Sequence, residues 1–295
     1  MSSSTGPASG LPVRMPRPRQ SGRHRRPEPV SAPEGAPPLV LAVPGVPSAA
    51  SLSVAEEVLS IARSELPGLD ARIGFAEKTE EELPALETVL ASADAAASEA
   101  SGAPSAIVVP LLAGPDSAQL RGIRQTVLSS GSGAELTDVL GPHPLLAEAV
   151  HVRLSESGLA RADRARLFTV ATAADGIVLT TVGGEEAVQT AGITGMLLSA
   201  RLAVPVLAAA LDEEGAVAAT ANRLLEAGSR QLALAPCLIG PEIPEGLLES
   251  ASKEAGCPAA EPLGAYPAIG KLVLSTYMTA AGLDPQRAGQ QGPLR

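Results

Sequence analysis

From residue 39 onward, short apolar runs recur at 39–43, 71–75, 106–112, 135–140, 176–182, 205–211 and 231–238, each bounded by Gly or Pro. They are rich in Val, Ile and Leu and carry few polar positions. That predicts strands buried on both faces. Between them apolar residues return at i, i+3 and i+4. Residues 53–66 are one case, with Val54, Val58, Ile61 and Ala62 on one face. The same spacing predicts helices over 117–128, 144–154, 187–202, 216–227 and 267–280. Residues 80–100 also read as helix, but their Ala, Glu and Ser content predicts an exposed one running into a loop. Apolar strands alternating with helices imply parallel sheets covered by helices.

The pattern occurs twice. Leu39-Val40-Leu41 followed by Gly45 matches Ile177-Val178-Leu179 followed by Gly183. The stretch from Pro110 to Asp116 matches that from Pro236 to Glu242, with Gly114 and Gly240 aligned. Leu140-Gly141-Pro142-His143-Pro144 matches Leu263-Gly264-Ala265-Tyr266-Pro267. The offsets are 138, 126 and 123, in the same order along the chain. We read an α/β protein of two tandem Rossmann-like lobes with parallel sheets, preceded by a disordered arm. The expected boundaries are 1–38 for the Pro/Arg-rich arm, 39–154 and 173–282 for the lobes, 155–172 for a connector and 283–295 for a tail. Ligands are then expected between the lobes, at the carboxyl ends of the strands.

Composition narrows the function. The chain has 295 residues and a net charge of −10, with aromatics at 1%. A nucleic-acid partner is unexpected, since stacking platforms need aromatic faces and a polyanion is repelled. Only Cys237 and Cys257 occur, which excludes a disulfide framework and fits a cytoplasmic location. No apolar run approaches the ~18 residues of a membrane span. The arm holds six Arg against two Glu, so it carries +4 and the remainder −14. Its Arg cluster reads either as a solvated tail or as an electrostatic contact.

Candidate site residues sit where strands give way to loops. Gly45, Gly114, Gly183 and Gly240 allow close backbone approach to a ligand. Their N–H groups, near helix N-termini, could receive anionic groups, helped by Arg121 or Arg124. Asp116 and Glu242 place one carboxylate per half near the cleft mouth. Both also read as helix caps or first-turn acids. Of three His, His24 lies in the arm and His151 two turns into a helix, so His143 is the candidate metal ligand, although a lone His before Pro144 is more often a helix-entry residue. Cys237 aligns with Leu111 and reads as core.

Several segments together resemble the sirohydrochlorin chelatase family, the cobalto- and ferrochelatases also called CbiX or SirB. They are Leu39 through Gly45, Ile73-Gly74-Phe75-Ala76-Glu77 with Leu83-Pro84, and Val108-Val109-Pro110-Leu111-Leu112. The Leu140 to Ala149 stretch and the closing Pro262 to Ile269 stretch complete the set. The resemblance spans residues 38–282. It implies a class II chelatase fold that inserts Co²⁺ or Fe²⁺, as substrate, into sirohydrochlorin without an organic cofactor, for cobalamin or sirohaem. The family's first strand runs into Ala-His-Gly, whose His is metal ligand and proton acceptor; here Val43-Pro44-Gly45 stands there. A second family His after the third strand is also missing, since residues 110–120 hold no His. Three readings follow: a divergent chelatase, a chelatase-fold pseudoenzyme that binds a tetrapyrrole or a partner protein without metal insertion, and a structural partner of an active chelatase. A dimer is compatible with each.

Overall fold

The structure is a computed structural model that describes residues 31–77, 83–96, 103–160 and 173–283. The first half runs β1 (Leu39–Val43), α1 (Ala49–Glu65), β2 (Ala71–Phe75), α2 (Leu86–Ala96), β3 (Ile107–Pro110), α3 (Ser117–Ser129), β4 (Glu135–Leu136) and α4 (Pro144–Glu156). The second runs β5 (Gly176–Thr181), α5 (Gly184–Leu202), β6 (Val206–Ala210), α6 (Ala216–Glu226), β7 (Leu232–Pro236), α7 (Leu247–Ala255) and α8 (Pro267–Ala280). The sheets have orders β2-β1-β3-β4 and β6-β5-β7, and every pairing is parallel. An isolated bridge from Leu234 to Ala259 occupies the place that β4 takes beside β3. The duplication in the sequence is thus a duplication of architecture.

Strand alternation sorts the core. Leu39, Leu41 and Val43 face one apolar cluster, while Val40 and Ala42 face another with α2 and α3 residues. In the second half Ile177 and Leu179 join the first cluster, and Val178 and Val182 face α6 and α7 residues. The largest cluster therefore draws on both sheets. It is built by exchange of the last helices: α8 packs on α1 and β3 of the first half, and α4 packs on α5 and β7 of the second. Gly270 lets α8 approach α1, since a Cβ there would lie 2.6 Å from Ile61 Cβ and 3.0 Å from Val58 O. From the last turn of α4, Arg153 donates through Nε (3.1 Å) and Nη2 (2.8 Å) to Leu263 O.

Several boundaries differ from the sequence pattern for local reasons. α1 starts at Ala49, not 53, because Ser48 and Ser51 form a reciprocal capping box. β3 ends at Pro110, which lacks the N–H to continue a ladder. β4 is two residues long where six were expected. The pattern missed α7, which is framed by Gly246 and Gly256, both in left-handed conformation. For residues 80–100, helix is described over Leu86–Ala96. Residues 1–30, 161–172 and 284–295 lie outside the described residues, and with them most of the expected arm, connector and tail. The last residues assigned to the arm, 31–38, lie on the body: Ala32 N donates to Pro67 O at 2.9 Å, and the buried Tyr277 OH donates to Pro37 O at 2.8 Å. The Pro-rich composition of 31–38 concealed these contacts, which come from residues 35 and 240 positions later.

The α1–α8 contact has no slack at Gly270. Gly270→Val should lower stability by about 1–3 kcal/mol through overpacking, read as a shift in the urea midpoint. An unchanged midpoint would show that the two helices can part without cost.

Candidate functional site

Both strand exits of one half abut the other half. A Cβ on Gly45, after β1, would lie 2.2 Å from Pro241 O, in the loop after β7. A Cβ on Gly183, after β5, would lie 2.8 Å from Pro115 O and from Asp116 Cα, in the loop after β3. Both glycines have positive φ, +74° and +111°. The pair is the pseudo-two-fold relation of the repeat written at the backbone. The Gly45 side opens into a cleft of about 700 Å³, walled by Val46, Val54, Pro241, Ile243 and Pro244, with Ser48, Glu77, Gln119, Glu242 and Glu245 as its main polar groups. Among the described residues no Arg, Lys, His or Cys lines it.

The backbone donors expected to receive a ligand are engaged within the chain. Gly45 N donates to Gln119 Oε1 at 3.2 Å. Gly183 N donates to Asp212 Oδ2 at 3.0 Å. Gly240 N donates to Glu242 Oε2 at 2.8 Å, and Ile239 N to Glu242 Oε1 at 2.6 Å. Gly114 stands beside Thr181, whose Oγ1 would be 3.9 Å from an added Cβ. Asp116 caps α3, accepting from Ala118 N (2.9 Å) and Gln119 N (3.0 Å) through Oδ1. Asp116 thus serves as a helix cap, whereas Glu242 accepts from the loop before it and caps no helix, since α7 begins at Leu247 after Gly246. Arg121 and Arg124 are exposed on α3 and do not line the cleft.

Glu242 is the unusual group of the site. It is 5% exposed. Burial pushes its carboxyl up to about 7, against the lowering effect of its two backbone N–H bonds, and the charge of Asp116 adds to the rise. Cys237 lies in the shared core; burial first, then the Glu242 charge, pushes its thiol up to about 12, so it is no thiolate.

His143 is not in this cleft. It caps α4, with Nδ1 accepting from Leu145 N at 3.1 Å, and it lines a separate groove of about 440 Å³ between residues 135–140 and α8. Burial lowers its pKa, which favours the neutral ring. His151 is buried and accepts from Arg201 Nε at 2.7 Å through Nδ1. Among the described residues no group of three or more His, Cys, Asp or Glu could hold a metal ion, and no helix is long and apolar enough to cross a membrane. Sequence reasoning missed Gln119 and Asp212. The first carries a signal, since Asp116 and Gln119 have N-cap and N3 spacing; the Gln side chain reaches Gly45 of the neighbouring loop rather than its own cap.

No protein-family model and no curated protein sequence matches the chain. Among solved structures, it is similar to the sirohydrochlorin chelatase SirB from Bacillus subtilis subspecies spizizenii in complex with cobalt. The TM-score is 0.57 at 15% identity, over 85% of this chain and 97% of that one. ZnuA aligns at a TM-score of 0.35 and 8% identity, over 84% of this chain and 98% of that one. The periplasmic arabinose-binding component from Shewanella sp. ANA-3 aligns at 0.31 and 12% identity, over 87% and 99%. The fold is a two-lobe class II chelatase-like fold.

Two outcomes follow from these loops. Gly45→Ala and Gly183→Ala should each cost about 1–3 kcal/mol, because the new methyl meets backbone; Gly122→Ala, in open space on α3, should be neutral or stabilising by up to about 1 kcal/mol. Chemical denaturation orders the three. Glu242 sets a pH dependence. Its folded pKa is raised, so its contribution is full below the unfolded carboxyl value and is lost as pH rises through about 7. Stability should fall between about pH 5 and 8 by on the order of 3 kcal/mol at most, and Glu242→Gln should flatten that slope.

Proposed function

We propose that this chain is a chelatase-fold binding protein that does not insert metal. One observation carries the reading: among the described residues the wall of the cleft between the halves has no imidazole, thiolate or amine, and the buried Pro44 stands at the exit of β1. Metal insertion into a tetrapyrrole needs a ligand to pass the metal on and a base to take two pyrrole N–H protons. Glu242 is the cleft group with a near-neutral pKa, but both of its oxygens already accept backbone N–H bonds.

The same wall bears on the ligand. A polycarboxylate such as sirohydrochlorin needs cations or spare N–H donors, and the Gly45, Gly183 and Gly240 amides are bonded to Gln119, Asp212 and Glu242. Apolar walls with Glu77 and Glu245 suit a neutral or cationic ligand with an apolar body better. The competing reading is a metal-inserting chelatase with Co²⁺ or Fe²⁺ as substrate. Its support is the fold shared with SirB.

Anaerobic incubation of the protein with sirohydrochlorin and Co²⁺ or Fe²⁺, followed by absorbance, separates the two. The rate should equal that of the protein-free control, whereas a resident base would add about 10²–10⁴-fold. Acceleration that Glu242→Gln abolishes would establish the chelatase reading. Saturable binding of sirohydrochlorin without turnover would make it the cleft ligand and overturn the charge argument alone.

A further inference from the structure

The cleft on the Gly45 side holds negative charge that the body does not neutralise. Among the described residues no Arg or Lys forms an ion pair with its exposed Glu77 or Glu245. Past Glu245 the cleft adjoins a second hollow of about 480 Å³, which shares Gly240, Ile243, Pro244 and Glu245 with it and adds the exposed, unpaired Glu261. The negative tract also runs down α1. Ala50 and Val54 line the cleft, and Glu57 follows them on the same stripe, with Glu56 beside it. Both acids are exposed and form no ion pair within the described residues.

The described chain begins at the far end of that helix. Ala32 N donates to Pro67 O, just past the last turn of α1. α1 has 17 residues, so this start lies about 25 Å from the cleft. The residues before it carry the positive charge of the molecule: Arg14-Met15-Pro16-Arg17-Pro18-Arg19, then Arg23, Arg25 and Arg26. Arg26 and Arg23 are five and eight positions from residue 31, a reach of up to about 16–26 Å. Glu56 and Glu57 stand about 12–14 Å from the end of α1. Arg19 and Arg14 are 12 and 17 positions away, a reach of up to about 40–55 Å, which takes in the cleft. We infer that residues 14–19 of this chain dock in the cleft as a built-in cationic ligand, which an incoming ligand must displace. This rests on the cleft being a binding site for cationic groups with an apolar body, as proposed above. Met15, Pro16 and Pro18 match its apolar walls, where Val46 is 71% exposed and Ile243 and Pro244 stand opposite. Arg17 and Arg19 match Glu77 and Glu245, and Arg23 to Arg26 match the acids of α1. Docking within one chain replaces a bimolecular association, so a weak contact suffices to fill the cleft.

Two measurements on the full chain test the contact. In Arg17→Lys, carbodiimide should join the new amine to Glu77, Glu245 or Glu261 of the same chain, as read by peptide mass spectrometry on the monomer band. High salt should remove that link, since the contact is ionic. In the protein without that change, trypsin should cut slowly after Arg14 and Arg19. Glu77→Gln with Glu245→Gln, both at exposed positions, should speed those two cuts about three- to tenfold, the effect of losing two ion pairs. Links that form only to Glu185 and Glu186 of the acidic first turn of α5, or only between chains, would overturn the proposal. So would cuts that the Gln variant does not accelerate. Either failure leaves the absence of metal insertion standing, which the absorbance assay reads separately.

Discussion

Each half of this molecule is closed by the last helix of the other. α8 lies on α1 and β3, and α4 on α5 and β7, so the main apolar cluster contains Leu41 and Val109 together with Ile269, Val273 and Tyr277. A sheet stripped of its borrowed helix would expose one apolar face, which a domain of this size cannot afford. Relative motion is the default for two lobes joined by a small polar interface. Here the interface is the core. The spacing of the two halves is therefore fixed by side-chain packing, and again by backbone contact at Gly45 with Pro241 and Gly183 with Pro115.

That rigidity determines what the acidic residues do. Loops brought together from two halves concentrate backbone N–H groups that have lost their strand partners, and each must find an acceptor. Asp116, Asp212 and Glu242 provide them, with Gln119. A carboxylate that satisfies two N–H groups in a buried loop has little capacity left for a metal or a substrate proton. The near-neutral carboxyl of Glu242 records the tension between burial, which favours the acid, and those donors, which favour the anion. In this protein the perturbed group is part of the joint between the halves, which is a structural cause for a shift often taken as a sign of catalysis.

The strands and the duplication were legible because burial on both faces leaves unbroken runs of Val, Ile and Leu, as in Leu39–Val43 and Gly176–Thr181. Pro267–Ala280 was legible to the residue, since Pro opens it and its apolar positions repeat regularly. The exchange of α4 and α8 was not, because a helix's apolar face does not name the sheet it covers. The cleft's chemistry was half legible. The glycines and the two carboxylates could be placed at the loops, but whether Glu242 faces a ligand or its own Gly240 amide depends on a turn of three residues. Gln119 reaches Gly45 across 74 positions, and no local spacing encodes that contact.

A duplicated fold separates what architecture demands from what function or history adds. Positions kept in both halves, such as Gly45 with Gly183 and Asp116 with Glu242, are those where backbone meets backbone or an N–H group needs an acceptor. Where the halves differ, the fold is indifferent. The entry to the first helix is one such place: α1 is reached through Val46-Pro47-Ser48 and a serine capping box, α5 directly through Gly183 and Gly184 with φ of +111° and +74°. From Val43 to the buried Ser51 is eight residues, from Thr181 to the buried Ala187 six. The two extra residues carry the β1 loop outward and expose Val46 (71%). They form one wall of the cleft, so the cavity on the Gly45 side arises from a difference between the halves, while the joint beneath it arises from what they share.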